Sequence, residues 1–333
     1  MLSPSTIQVG NLQLGWIGLG SMGLAMALNI QKNLQANSQP SLKYWNRTLS
    51  KGDPLKKITG EPSPSVGDLA SSCGVIFICV SDDGTLDKVI NEIEKLGSSL
   101  KGKIVVDTTT VHPSTTTSIT TRLKAHGASY VAAPVFGSTP TAQIGQLLVA
   151  VAGEETAVST IFPFLKGAIA REVIRVGEDP AQALLLKTTS NMLTAGMMYL
   201  ISEAHTLAEK SGLPSSVLES LIEQNLGSYA HGVSKRLTSG VYVPAEGQAP
   251  QSGLELGIKD VQHGVDLARS NGMKLDVAES YVEAAKEAKE WNKKSDRVLD
   301  SSSVFGVVRQ RAGLEFENEV VKERDSKTGG AGT

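Results

Sequence analysis

Cysteine is nearly absent: two residues in 333, Cys73 and Cys79. Neither has a second Cys or a His at metal-ligand spacing. This excludes a disulfide framework and a zinc finger and points to a reducing compartment. Aromatics are scarce, at 5%. Charge of one sign is not in surplus: 32 Lys and Arg face 34 Asp and Glu, a formal net charge of −2. A nucleic-acid partner is therefore not expected, because no basic excess is present to meet phosphates. Long apolar runs are missing as well. The most apolar stretch, residues 188–202, is bounded by Lys187 and Glu203, whereas a membrane helix needs about 20 residues. Residues 1–10 hold no basic segment and no long apolar run, so neither a targeting peptide nor a membrane is expected, and the expected location is cytoplasmic. The five histidines form no metal spacing and no triad; no metal is expected. What the chain does have is glycine, 33 residues, in a background that is 40% hydrophobic. That mixture suits an α/β protein with tight turns.

Short apolar runs at 14–17, 42–45, 75–80, 104–107, 129–133 and 147–152 read as strands. Helical patterns lie between most of them, at 22–34, 86–96, 114–125 and 156–165. Buried strands alternating with helices predict a doubly wound, mostly parallel sheet, with antiparallel members on its edge near Leu147 and Glu172. The pattern changes after Asp179-Pro180. Residues 181–211 form one long helical stretch that is apolar on nearly every side. Such a helix must be covered on every side. It reads as a spine leaving the first domain and packing against a second domain and a second subunit. Further helices are expected at 216–226, 228–237, 256–270, 277–291 and 303–311. The expected fold is thus an N-terminal Rossmann domain, 1–179, joined by the spine to an all-α substrate and dimerisation domain, 180–322. The polar tail 323–333 is expected to be disordered.

Gly18-Leu19-Gly20-Ser21-Met22-Gly23 follows the first strand and opens the first helix. The first glycine permits the tight turn, the second lets backbone approach a pyrophosphate, and the third lets helix and strand pack closely. The helix N-terminus offers N–H groups and positive dipole to the diphosphate. The second strand ends Trp45-Asn46-Arg47-Thr48. An NAD site ends this strand with a carboxylate that holds the ribose 2′-OH. Here there is none, and Arg47 can grip a 2′-phosphate with its fork of donors while Asn46 and Thr48 add neutral hydrogen bonds. NADP, as NADPH, is the expected cofactor.

Four further segments carry chemistry. Val80-Ser81-Asp82 and Asp107-Thr108-Thr109-Thr110-Val111-His112-Pro113 both close strands, and strand ends face the ligand crevice in such sheets. The hydroxyls of the second segment can equally cap the helix that follows. Ala133-Pro134-Val135-Phe136-Gly137-Ser138 is a glycine turn after a strand. Lys187 and Asn191 are four apart and share a helix face. A lysine at the start of an apolar helix needs a partner or a purpose.

Together these segments resemble the β-hydroxyacid dehydrogenase family, which includes 3-hydroxyisobutyrate dehydrogenase and the glyoxylate/succinic semialdehyde reductases. The strand end Trp45-Asn46-Arg47-Thr48 is most similar to the NADPH-using reductase branch. The resemblance implies that Val80, Ser81 and Thr110 lie along the nicotinamide, with Thr110 also near the substrate. It implies that Lys187 is the general acid/base and that Asn191 holds Lys187 and substrate in register. It implies that Lys259-Asp260 matches a Lys-Asp pair reaching back over the nicotinamide, Lys259 toward cofactor and Asp260 toward substrate. The substrate carboxylate would be held at positions 136–138, but Phe136 stands where the family has Ser, leaving Gly137 and Ser138 as donors. An aromatic that often precedes the Lys-Asp pair is replaced by Ser252. The expected protein is an NADPH-dependent oxidoreductase acting on a small aldehyde acid or β-hydroxyacid. An imine reductase, or a non-catalytic dinucleotide-binding scaffold of the kind found among chromatin-associated relatives, is the alternative. By resemblance both of those lack the lysine.

Overall fold

The structure is a computed structural model and describes residues 12–293 and 297–329. The chain divides into two compact units, the first ending at Lys187 and the second beginning at Thr188.

The first unit holds a nine-stranded sheet. Its strands are β1 (Leu14–Ile17), β2 (Lys43–Trp45), β3 (Glu61–Pro62), β4 (Val75–Ile78), β5 (Ile104–Asp107), β6 (Ser129–Ala132), β7 (Val135–Phe136), β8 (Leu147–Ala152) and β9 (Ala170–Gly177). The order is β3-β2-β1-β4-β5-β6-β8-β7, with β9 on β8. The strands from β3 to β6 pair in parallel. β8 runs antiparallel to β6 and β7, as its edge position led us to expect, and parallel to β9. The central strands β1 and β4 hold no polar side chain and are buried at every position because both faces are covered. Val75 and Phe77 enter one apolar layer, Ile76 and Ile78 the other, which is the period of two that a strand imposes. Trp16 stacks on Phe77 with ring centroids 5.5 Å apart. Strand order reverses between β1 and β4, and such a switch point opens a crevice beyond the strand C-termini where ligands bind.

The second unit is helical, built from the rest of helix Pro180–Lys210 and from Ser215–Thr238, Leu254–Ser270, Asp276–Asn292, Val304–Arg311 and Glu319–Gly329. Gly227, at φ 83°, breaks Ser215–Thr238 where the sequence suggests two helices. Its core gathers Met198, Ile201, Tyr242, Tyr281, Phe305 and Phe316.

Two expectations need correcting. The division falls inside the long helix, at Lys187/Thr188, rather than before it at residue 180. Ala183 and Leu184 are wholly buried against the first unit's apolar layer, so the helix's first two turns belong there. The tail is not disordered from Glu323: residues 319–329 form a helix, and residues 330–333 lie outside the described residues. Its polar composition hid the anchor. Val321 is fully buried, Arg324 donates to the Val243 carbonyl at 2.8 Å, and Arg297 pairs with Asp325 at 2.6 Å. Among the described residues no helix is long and apolar enough to cross a membrane.

Candidate cofactor and catalytic site

The glycine loop takes the shape its spacing demands. Gly18 sits at φ 96°, and a Cβ there would lie 2.1 Å from the Cys79 carbonyl oxygen. A Cβ on Gly23 would lie 2.3 Å from the Gly18 carbonyl oxygen. A Cβ on Gly20 would meet nothing within 4 Å, so the open space beside this exposed glycine is what a side chain would fill. Gly20 caps the helix Ser21–Ala36 without a side-chain bond, and the first turn holds no acid. The leading N–H groups and the helix dipole therefore face that space uncompensated, which fits a diphosphate. Ser21 is exposed and Met22 half-buried beside it.

Asn46 has a job the sequence did not reveal. Its Oδ1 accepts from the Leu19 N–H at 2.9 Å and its Nδ2 donates to the Thr48 carbonyl at 2.8 Å. It thus braces the loop against the end of β2. Arg47 and Thr48 follow it on the surface, both exposed.

Beyond β4 and β5 the hydroxyls divide. Thr108 Oγ1 donates to the Ile78 carbonyl at 2.8 Å, and Thr109 Oγ1 accepts from the Val80 N–H at 3.1 Å. Both threonines are buried and tie the two strand ends together. Thr110 is left half-exposed at the rim. Ser81 donates to Asp82, whose other oxygen caps the next helix at the Thr85 N–H, 2.7 Å. The helix after β5 is capped by the His112 ring, which accepts from the Ser114 N–H at 3.2 Å, rather than by the threonines. Underneath, Asp107 is fully buried. It accepts from the Thr109 N–H at 2.9 Å and the Tyr130 hydroxyl at 2.8 Å. Burial pushes its carboxyl up to about 6 against the pull of those bonds. Burial, then the neighbouring Asp107 charge, pushes the Tyr130 phenol well above its ordinary value.

The turn after β7 brings Phe136, Gly137 and Ser138 to the same end of the sheet. The Lys187 Nζ lies 4.9 Å from the centre of the Phe136 ring, a cation–π contact of about 0.5–2 kcal/mol. Gly137 is at φ 136°, and Ser138 Oγ lies 3.3 Å from Thr141 Oγ1. Thr139 Oγ1 reaches Met22 Sδ at 3.6 Å, and Asn29 Nδ2 donates to the Ala142 carbonyl at 2.7 Å. These contacts join the Phe136 turn to the helix of the glycine loop within one unit.

In the second unit Asn191 Nδ2 donates to Asp260 Oδ2 at 3.2 Å, and Lys259 Nζ lies 3.0 Å from Asp260 Oδ1. Asn191, Lys259 and Asp260 thus form one cluster. Gly264 makes it possible: a Cβ there would lie 2.4 Å from Met192 Sδ, so the helix Leu254–Ser270 approaches Pro180–Lys210 closely and Asp260, one turn earlier, reaches Asn191. Ser252 is half-buried, its N–H donating to Asp300 Oδ2 at 2.9 Å. His205, pulled below its ordinary pKa by burial, lies between Ser234 Oγ at 2.7 Å and Ser215 Oγ at 3.0 Å and holds two helices together.

Residues 13–177 match the model of the NAD binding domain of 6-phosphogluconate dehydrogenase. The chain is 28% identical to glyoxylate/succinic semialdehyde reductase 1 of Arabidopsis thaliana, covering 84% of this chain and 93% of that protein. Along most of its length the chain is similar to members of the β-hydroxyacid dehydrogenase family. It is an oxidoreductase that uses a nicotinamide dinucleotide, with the Rossmann and helical parts of that family. An NADH-dependent oxidoreductase of Aspergillus ustus is also 28% identical, over 89% of this chain and 98% of that protein. Of the family's solved structures, 3-hydroxyisobutyrate dehydrogenase from Salmonella typhimurium superposes with a TM-score of 0.75 over 89% of this chain and all of that one. At 20% identity it speaks for the fold alone.

Proposed function

We propose that this chain is an NADPH-dependent reductase of a small aldehyde or ketone, with Lys187 as the general acid. The observation that carries the reading is the Lys187 ammonium, half-buried and held over the Phe136 ring at the turn that is tied to the glycine-loop helix. A bound reduced nicotinamide would supply the hydride. As hydride reaches the carbonyl carbon, charge develops on the oxygen. Lys187 meets that charge with its ammonium and donates a proton from Nζ, leaving a neutral amine and an alcohol. In the reverse direction the neutral amine takes the hydroxyl proton. Asn191, one turn on along the helix, is proposed as a donor to the substrate, oriented by Asp260. Gly18 through Gly23 bind the diphosphate through backbone N–H groups, while Val80, Ser81, Thr110 and Lys259 are proposed to line the nicotinamide side.

The NADP preference rests on Arg47. It is exposed at the end of β2 next to the glycine loop, and no carboxylate stands there to repel a phosphate or hold a 2′-OH. The Aspergillus relative carries NADH in its name, so titration must use both nucleotides. Lysine at position 187 speaks against the imine reductase and scaffold readings. The deciding experiment is Lys187→Ala. Loss of a general acid should lower kcat by about 10²–10⁴-fold with nucleotide affinity nearly unchanged. Wild-type turnover in Lys187→Ala on the best substrate would overturn the mechanism.

A further inference from the structure

Lys187 is seated against an aromatic ring that offers nothing to an anion, ahead of a turn that carries the Ser138 and Thr141 hydroxyls. Phe136 ends β7, opposite Leu148 of β8, and packs against the apolar layer that holds Ile78, Ala183 and Leu184. The following turn is fixed: Gly137 sits at φ 136°, and a Cβ there would lie 2.7 Å from Leu147 Cδ2. The ring is therefore anchored on one side and presents its face to the Lys187 ammonium, 4.9 Å from its centre. The electron-rich face attracts the cation. It has no donor for an oxyanion. The nearest side-chain hydroxyl in the turn, that of Ser138, lies within reach of Thr141. A carboxylate brought against this wall loses water without a side-chain donor at position 136 to replace it. An alkyl group brought there buries apolar surface at a gain.

We propose that Phe136 determines specificity at this site: the substrate is an aldehyde or ketone whose group on the Phe136 side is uncharged and apolar, not a carboxylate. This rests on the reading of Lys187 as the acid. Phe136 positions the ammonium and at the same time puts an apolar wall where a side-chain donor to a carboxylate would stand.

The test uses the full chain, with NADPH and NADH oxidation followed at 340 nm on a matched pair of aldehydes. Succinic semialdehyde carries a carboxylate where 4-methylpentanal carries an uncharged isopropyl group with the same branching. Wild-type kcat/KM should favour 4-methylpentanal by at least about tenfold. Phe136→Ser should shift that ratio toward the acid by at least about tenfold. Phe136→Leu, which keeps the apolar wall and removes the ring face, should keep the ratio within about threefold and lower kcat on both aldehydes. A tenfold wild-type preference for the acid, comparable kcat/KM for the pair, or a ratio unmoved in Phe136→Ser overturns the proposal. The wild-type ratio decides even if Phe136→Ser fails to fold. If neither aldehyde turns over, calorimetry on the NADPH-loaded protein reads the same ratio as Kd, and failure to bind 4-methylpentanal also overturns it. Lys187→Ala separates the two ideas. If it keeps wild-type turnover the acid assignment fails, whereas the substrate ratio in Phe136→Ser reports on the wall alone.

Discussion

Replacing Asp107 by Asn tests the electrostatics beneath the strand ends. The carboxyl is fully buried, and burial raises it from 3.8 to about 6 in the folded chain. Between those values the native protein holds a proton that the unfolded chain releases. Folding is therefore most favoured by this group below pH 3.8, and the contribution is lost as pH rises through 6. A difference of about two pKa units corresponds to about 3 kcal/mol, at about 1.4 kcal/mol per unit. About 2 kcal/mol of it falls between pH 4.5 and 7.5. An Asn at this position is neutral at every pH. Its oxygen can accept from the Thr109 N–H and its amide can donate to the Tyr130 oxygen, leaving the phenol to turn toward Thr116. Every other titrating group is shared and cancels in the difference. Urea unfolding of wild type and Asp107→Asn, followed by circular dichroism across that range, should show the variant gaining on wild type by about 2 kcal/mol as pH rises. A stability difference that is flat with pH, or that falls, would refute the argument.

Removing Arg47 should abolish a preference for NADPH. The wild type is expected to bind NADPH at least about tenfold tighter than NADH, or about 1.4 kcal/mol. Arg47→Ala should leave NADH binding intact in a fluorescence titration, and equal wild-type affinities would end the idea. Leu193, Leu200 and Leu207 recur every seven residues along the long helix and are 71%, 55% and 68% exposed in the single chain. We expect a homodimer covering this stripe, with Leu200→Glu shifting the mass from dimer to monomer by light scattering at about micromolar concentration. Asp300, fully buried, pairs with Arg236 and accepts from the Ser252 and Ser302 N–H groups at 2.9 and 3.0 Å. Asp300→Ala removes the acceptor from these donors and should cost about 3–5 kcal/mol in a denaturant melt.

Much of the architecture was legible because burial repeats locally. A strand covered on both faces is a short apolar run, and a glycine triplet between such a run and a helix has few other uses. The expected strands at 14–17, 104–107 and 147–152 coincide with β1, β5 and β8. The two-residue strands β3 and β7 left no periodic trace because two residues are too few to repeat an alternation. The tail helix escaped because ion pairs and one buried valine, not an apolar face, hold it.

The site was legible only as a set of residue types. Which of them meet depends on how distant segments approach, and that is decided by packing. Asn191 finds Asp260, 69 residues away, because Gly264 lets two helices come close. Asn46 braces the glycine loop because β1 and β2 pair in one register. Phe136 read in sequence only as a departure from a family pattern. The pairing of β7 with β8 and the burial of the long helix's first two turns put its ring under Lys187. By itself the sequence determined the order of strands and helices, the glycine loop and the residue types at the strand ends, since those follow from neighbours in the chain. Tertiary structure alone decided which side chains touch, because contact energies act over a few ångströms between residues that the chain holds far apart.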